Sequence, residues 1–134
     1  MTAIGDIEGV GPAMELKFRE IGITSAEALL TAGGTAQQRE ALAASTGISA
    51  SKISRWVNHA DLFRLRGVGG QYSELLEAAG VDSVPELAQR NAANLAAKMA
   101  EVNAEKKLTR VTPTEAMVAG WVAEAKTLPR MVHH

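Results

Sequence analysis

Apolar residues recur at helical spacing along most of the chain, and nowhere alternate with period two long enough for a convincing strand. Pro12 suits a first helical turn, where its missing N–H is no loss. Met14, Phe18 and Ile21 follow at i, i+4 and i+7, predicting a buried stripe that Gly22 ends in a left-handed cap. Tyr72, Leu76 and Ala79 repeat that stripe before Gly80. Short second helices are expected to open at Thr24 or Ser25, with Glu27 completing a capping box, and at Ser83 with Glu86 in the same role. Gly33-Gly34 breaks the chain, and Thr35 with Gln38 starts a helix that stops at Gly47. Ser49 then caps a longer helix with Ile53, Trp56, Val57, Ala60 and Phe63 on one face. Leu95, Met99 and Val102 form a further stripe, Thr112-Pro113 with Glu115 opens the last helix, and Pro129 follows its end. The expected fold class is all-α.

These elements come twice. Ile7-Glu8-Gly9-Val10-Gly11 returns as Leu65-Arg66-Gly67-Val68-Gly69, and Gly22, Ser25 and Leu29 return at the same offset as Gly80, Ser83 and Leu87. Ile53, Trp56, Val57 and Ala60 reappear later than that offset predicts, as Val118, Trp121, Val122 and Ala125. An insertion around 103–112 accounts for the delay. The sequence is therefore read as a duplication of pseudo-symmetric repeats, 4–61 and 62–128. A lone lobe of that size buries too small a fraction of its surface to be robust. Both copies are accordingly expected to pool into one core, a single helical domain. Trp56 and Trp121 are expected to be packing residues joining the helices of each copy.

A helix, then apolar-x-Gly-apolar-Gly, then a second helix is the signature of the helix-hairpin-helix motif. Two glycines flanking one apolar residue let the backbone turn tightly and meet a ligand with no Cβ in the way. Val10 and Val68 would plug the space between the helices. The exposed amides beside the next helix's positive dipole end suit a phosphate oxygen. Such a contact reads no bases. The candidate nucleic-acid-binding residues are Gly9, Val10, Gly11, Arg64, Arg66, Gly67, Val68 and Gly69, with Arg64 and Arg66 as the main electrostatic partners. Lys17 and Arg19 add charge near the first corner, and Lys98, Lys106, Lys107 and Arg110 near the insertion. Lys106-Lys107 also reads as a solvated loop or helix end.

Charge tempers this picture. The 14 lysines and arginines against 15 aspartates and glutamates leave a net charge of −1, which excludes a strongly basic nucleic-acid protein. No lysine or arginine directly follows the second glycine of either corner, and Asp6 and Glu8 flank the first corner. Only weak backbone binding is expected. With no cysteine, disulfides, thiolate metal sites and thiol catalysis are excluded. His59 stands near Asp61 without ligand spacing and reads as the partner of an adjacent turn. The Gly-x-Gly segments lack a third glycine and a preceding strand, so a dinucleotide fold fails. No catalytic residue, metal or cofactor is expected, and the protein reads as a non-enzyme. The start Met1-Thr2-Ala3-Ile4-Gly5-Asp6 has no basic region before an apolar run, and no stretch approaches a membrane span. A cytoplasmic protein is expected, with no membrane partner.

Over about residues 4–129 the chain resembles small bacterial tandem helix-hairpin-helix proteins of unknown function. The resemblance rests on Ile7-Glu8-Gly9-Val10-Gly11-Pro12, Gly22-Ile23, Trp56-Val57-Asn58-His59-Ala60-Asp61-Leu62, Gly67-Val68-Gly69, Ala78-Ala79-Gly80-Val81, Glu86-Leu87-Ala88-Gln89-Arg90-Asn91 and Trp121-Val122. It implies the superfamily's habit of binding duplex backbone in repair, recombination and replication proteins. It also implies that hairpin carbonyls hold a monovalent cation in some members. A rival reading stays open: a protein–protein adaptor or homodimeric scaffold. It is motivated by near-neutral charge and the small-residue faces of Ala92-Ala93, Ala96-Ala97 and Ala100.

Overall fold

The computed structural model describes residues 2–133; Met1, part of the leader reading, and His134 lie outside them. The described chain is all-helical, with one isolated bridge between Ala3 and Ser25. After a short 3-10 turn at Ile4–Asp6, the helices are α1 (Pro12–Glu20), α2 (Ala26–Ala32), α3 (Ala36–Thr46) and α4 (Ala50–Leu62). They continue as α5 (Gly70–Ala78), α6 (Val84–Ala88), α7 (Ala92–Lys106) and α8 (Glu115–Ala125). No helix among the described residues is long and apolar enough to cross a membrane.

Local chemistry sets most helix ends. Thr35 and Gln38 form a reciprocal capping box at the start of α3, and Gly47 closes that helix in the left-handed region at φ +74°. Ser49 accepts from the Lys52 amide to open α4. Gly22 (φ +85°) and Gly80 (φ +98°) let the chain fold back after α1 and α5. There Ile23 N donates to the Phe18 carbonyl and Val81 N to the Leu76 carbonyl, each at 2.9 Å.

Several expected details are corrected. Ile21 is 40% exposed because α1 ends one residue earlier and leaves it outside the buried stripe. Ser25 caps α2, but Glu27 completes no box; its carboxylate accepts from the Thr2 amide instead. Ser83 makes no side-chain cap; the first amide of α6, Val84 N, donates 2.8 Å to Asp61 Oδ2 of α4. Thr114 rather than Thr112 caps α8; the Thr112 hydroxyl accepts from Asn103.

The single pooled core does not form. Buried apolar side chains fall into two clusters, one from Ile4 to Ala60 with Val132 and one from Leu62 to Ala125. In the first, α4 packs against α2 and α3; in the second, α8 packs against α6 and α7. Phe18 meets Trp56 edge-on at 5.9 Å, and Tyr72 meets Trp121 at 5.3 Å. Leu62 of α4 is buried in the second cluster, and polar contacts also bridge the two. Arg55 and His59 of α4 hold Glu77 of α5, and Asp61 holds the start of α6. After α8 the chain runs back to the first cluster. There Val132 is buried, Arg39 donates to the Gly33 and His133 carbonyls, and His133 N donates to the Gly34 carbonyl.

Candidate functional site

Each glycine corner is built by an i to i+3 turn. Val10 N donates to the Ile7 carbonyl at 3.1 Å, and Val68 N to the Leu65 carbonyl at 3.3 Å. The turn places Gly9 at φ +91° and Gly67 at φ +80°, where a side chain is strained. Val10 and Val68 are buried in the two apolar clusters, so their side chains are plugs rather than contact groups. The four glycines of the two corners are exposed.

Gly11 and Gly69 are different from their partners. They are the N-cap residues of α1 and α5, with extended φ of −82° and −106°. A Cβ built on either meets nothing within 4 Å. Neither the turn nor the packing of the chain itself demands glycine there, and Ser, Asp or Asn would cap at least as well.

The surrounding charges are unevenly available. Arg64 is held internally, with Nη1 donating 2.9 Å to Asp61 Oδ1 and Nη2 donating 2.7 Å to the Pro129 carbonyl. Arg66 is exposed, and its side chain has no ion pair or hydrogen bond among the described residues. Its backbone is anchored: the amide donates to Glu124 Oε1, and its carbonyl accepts from Trp121 Nε1 at 3.0 Å. Asp6 and Glu8 of the first corner lie against the second. A Cβ on Gly70 would stand 2.8 Å from the Asp6 carbonyl oxygen and 3.2 Å from Glu8 Oε1. The start of α5 therefore already has a carboxylate beside it. Nothing local in the sequence announces that meeting, because the two corners are brought together only by the packing of the halves.

His59, read as the partner of an adjacent turn, is fully buried, and its Nε2 donates 3.0 Å to Glu77 Oε2 on α5. A carboxylate only accepts, so the proton sits on Nε2 and leaves Nδ1 buried without a partner. Burial pushes the imidazole below its ordinary value, against the opposing pull of Glu77. The unfolded chain then binds the proton more readily, so the neutral histidine supports folding above about pH 6.5 and that support is lost as pH falls. Urea midpoints taken from about pH 7.5 down to about pH 5 are expected to fall. His59→Gln, which keeps a donor for Glu77, is expected to show a smaller decline; an equal decline refutes the assignment to His59. No group of three potential metal-ligating His, Cys, Asp or Glu residues occurs among the described residues.

Two further surfaces adjoin the second corner. A groove of about 670 Å³ lies between it and α8, lined by Arg66, Gly67, Ala116, Met117, Gly120 and Glu124 among others. On the other side the α7–α8 connection lies along the start of α5, where Tyr72 Oη donates to the Val111 carbonyl.

Residues 8–128 match a protein family described as a domain of unknown function (DUF4332). No curated protein matches the chain. No solved structure matches it either.

Proposed function

The chain belongs to this family of unknown function, and we propose that it is a non-enzymatic, cytoplasmic, tandem helix-hairpin-helix protein that binds nucleic-acid backbone weakly and without sequence preference. The two repeats are 4–61 and 62–128, and the contacts are made by the corners at Gly9–Gly11 and Gly67–Gly69. The observation that carries this reading is the pair Gly11 and Gly69. Both are exposed at the mouth of a helix, and neither the backbone conformation nor any neighbouring atom of the chain requires the missing side chain. An outside group coming close to the backbone accounts for glycine there. Of the two arginines expected at this surface, Arg66 is the one whose guanidinium is uncommitted; Arg64 acts in the interior.

The test is a fluorescence-anisotropy titration with a short labelled duplex at low salt. Binding in the micromolar range is expected, weakening in Gly11→Asn and Gly69→Asn with little change in thermal midpoint, since asparagine caps a helix at least as well as glycine. No binding at about tens of micromolar ends the reading, since non-specific duplex binders reach about 10⁻⁴–10⁻⁶ M even at physiological salt.

A second reading, a protein-binding or self-assembling module, is favoured by α8. Gly120 sits mid-helix in that groove, where a Cβ would meet nothing within 4 Å, beside Met117 at 37% exposure. A mid-helix glycine is unfavourable by about 1 kcal/mol against alanine. Close approach of another surface accounts for keeping it. Light scattering that finds only monomer at high concentration counts against self-assembly.

A further inference from the structure

We propose that the connection between α7 and α8 supplies the second corner with cations beyond its own Arg66, forming with Gln71 a basic groove that takes the phosphates of duplex nucleic acid. This deepens the backbone-binding reading and rests on it. The groove runs in two contiguous parts. One passes Gly69, Gly70 and Gln71 beside Thr109 and Arg110. The other continues past Asn103 and Ala104 to Lys107. Gln71, Thr109 and Arg110 line both.

The connection is held in place from below. Asn103, nearly buried at the end of α7, donates through Nδ2 to the Thr109 carbonyl and the Thr112 hydroxyl, each at 3.1 Å. Its Oδ1 accepts from Thr109 N at 2.9 Å. Tyr72 of α5 donates to the Val111 carbonyl at 3.2 Å. Lys107 and Arg110 are thus mounted on a segment whose shape is already set, so little ordering is left for binding to oppose.

Lys107 is the more informative of the two. It is the one non-glycine with positive φ (+52°) among the described residues, at the left-handed cap of α7. The same position at the end of α3 is held by Gly47. Glycine or asparagine fits such a cap with less strain than lysine. What lysine adds is its charge. Neither Lys107 nor Arg110 is in a salt bridge among the described residues, and both are exposed. On the opposite side of Gly70, Glu8 faces the start of α5. A phosphate is therefore repelled on the Glu8 side and attracted on the side of Lys107 and Arg110, whose side chains add charge to the backbone contact at Gly69.

The experiment compares the full chain with Lys107→Ala/Arg110→Ala and with Arg66→Ala, by anisotropy against the same duplex over a salt series. The double variant is expected to bind about tenfold or more weakly, with the slope of log affinity against log salt reduced by about 2. Arg66→Ala is expected to reduce that slope by about 1. Unchanged affinity and slope in the double variant, while the Gly69→Asn protein loses binding, overturns the groove and leaves the corner reading standing. A parallel NMR titration with inorganic phosphate separates the two failures. Amide shifts at Gln71 and 107–110 without duplex binding keep the groove as a phosphate site but overturn both the corner reading and the duplex as its ligand. Absence of both duplex binding and those shifts overturns both. Equal thermal midpoints of the variants exclude unfolding as the cause.

Discussion

Asp61→Ala lowers the unfolding free energy by about 3–5 kcal/mol, the range for a buried ion pair stripped of one partner. The carboxylate is fully buried and divides its two oxygens between different structural jobs. Oδ1 receives Arg64 Nη1, whose own side chain is 14% exposed, and Oδ2 receives the Val84 amide that begins α6. Alanine removes both acceptors. The guanidinium keeps only the Pro129 carbonyl, and a buried amide is left without a partner, a penalty of about 1–3 kcal/mol by itself. Asp61→Asn retains the shape and one acceptor, so it is expected to lose less. Urea denaturation of the two variants and the parent checks this; an Asp61→Ala loss below about 1 kcal/mol would sink the account.

Ending the chain at Pro129 is the second large effect, about 3 kcal/mol. Val132 is 1% exposed, and burying a valine contributes roughly 1.5–3 kcal/mol. His133 exchanges two backbone bonds with the floor between α2 and α3: its amide donates 2.7 Å to Gly34, and its carbonyl accepts 2.8 Å from the buried Arg39. Without the tail, Arg39 keeps only the Gly33 carbonyl. The loss should be local. Hydrogen exchange is expected to quicken across α2, α3 and α4 and to stay unchanged across α7 and α8, because the tail joins only the first apolar cluster. Gly34→Ala is a milder version, since its Cβ would stand 2.7 Å from the Met131 carbonyl oxygen. Uniform protection in the shortened chain would show that the tail does not hold this seat in solution.

Much of the local structure was legible in the order of residues. Thr35 with Gln38, Gly47, Ser49, Gly22 and Gly80 mark helix ends through groups a few positions apart, and the Leu95, Met99 and Val102 stripe is buried as its spacing predicts. What escaped is partner choice over distance. Ser83 and Glu86 have the form of a capping box, yet Asp61 from α4 takes the amide at the head of that helix. Arg64 looks as available as Arg66 in the sequence; only the fold reveals that one faces Asp61 and the other faces solvent. The corner glycines were recognisable as a pair. Which member is demanded by φ and which is not could be told only from the backbone angles. The meeting of Glu8 with Gly70 and the fastening of the α7–α8 connection by Asn103 depend likewise on contacts that no short window contains.

The return of the tail to Gly34 and Arg39 has a bearing on how the molecule is made. Synthesis delivers the N-terminal half first, and halves of this kind usually begin to fold as they emerge. Here Val132 and His133, translated after the whole of the second cluster, complete the pocket floor of the portion translated first. That floor stays open until those two residues clear the ribosome, so a nascent chain arrested before them is the form most exposed to chaperone capture and proteolysis.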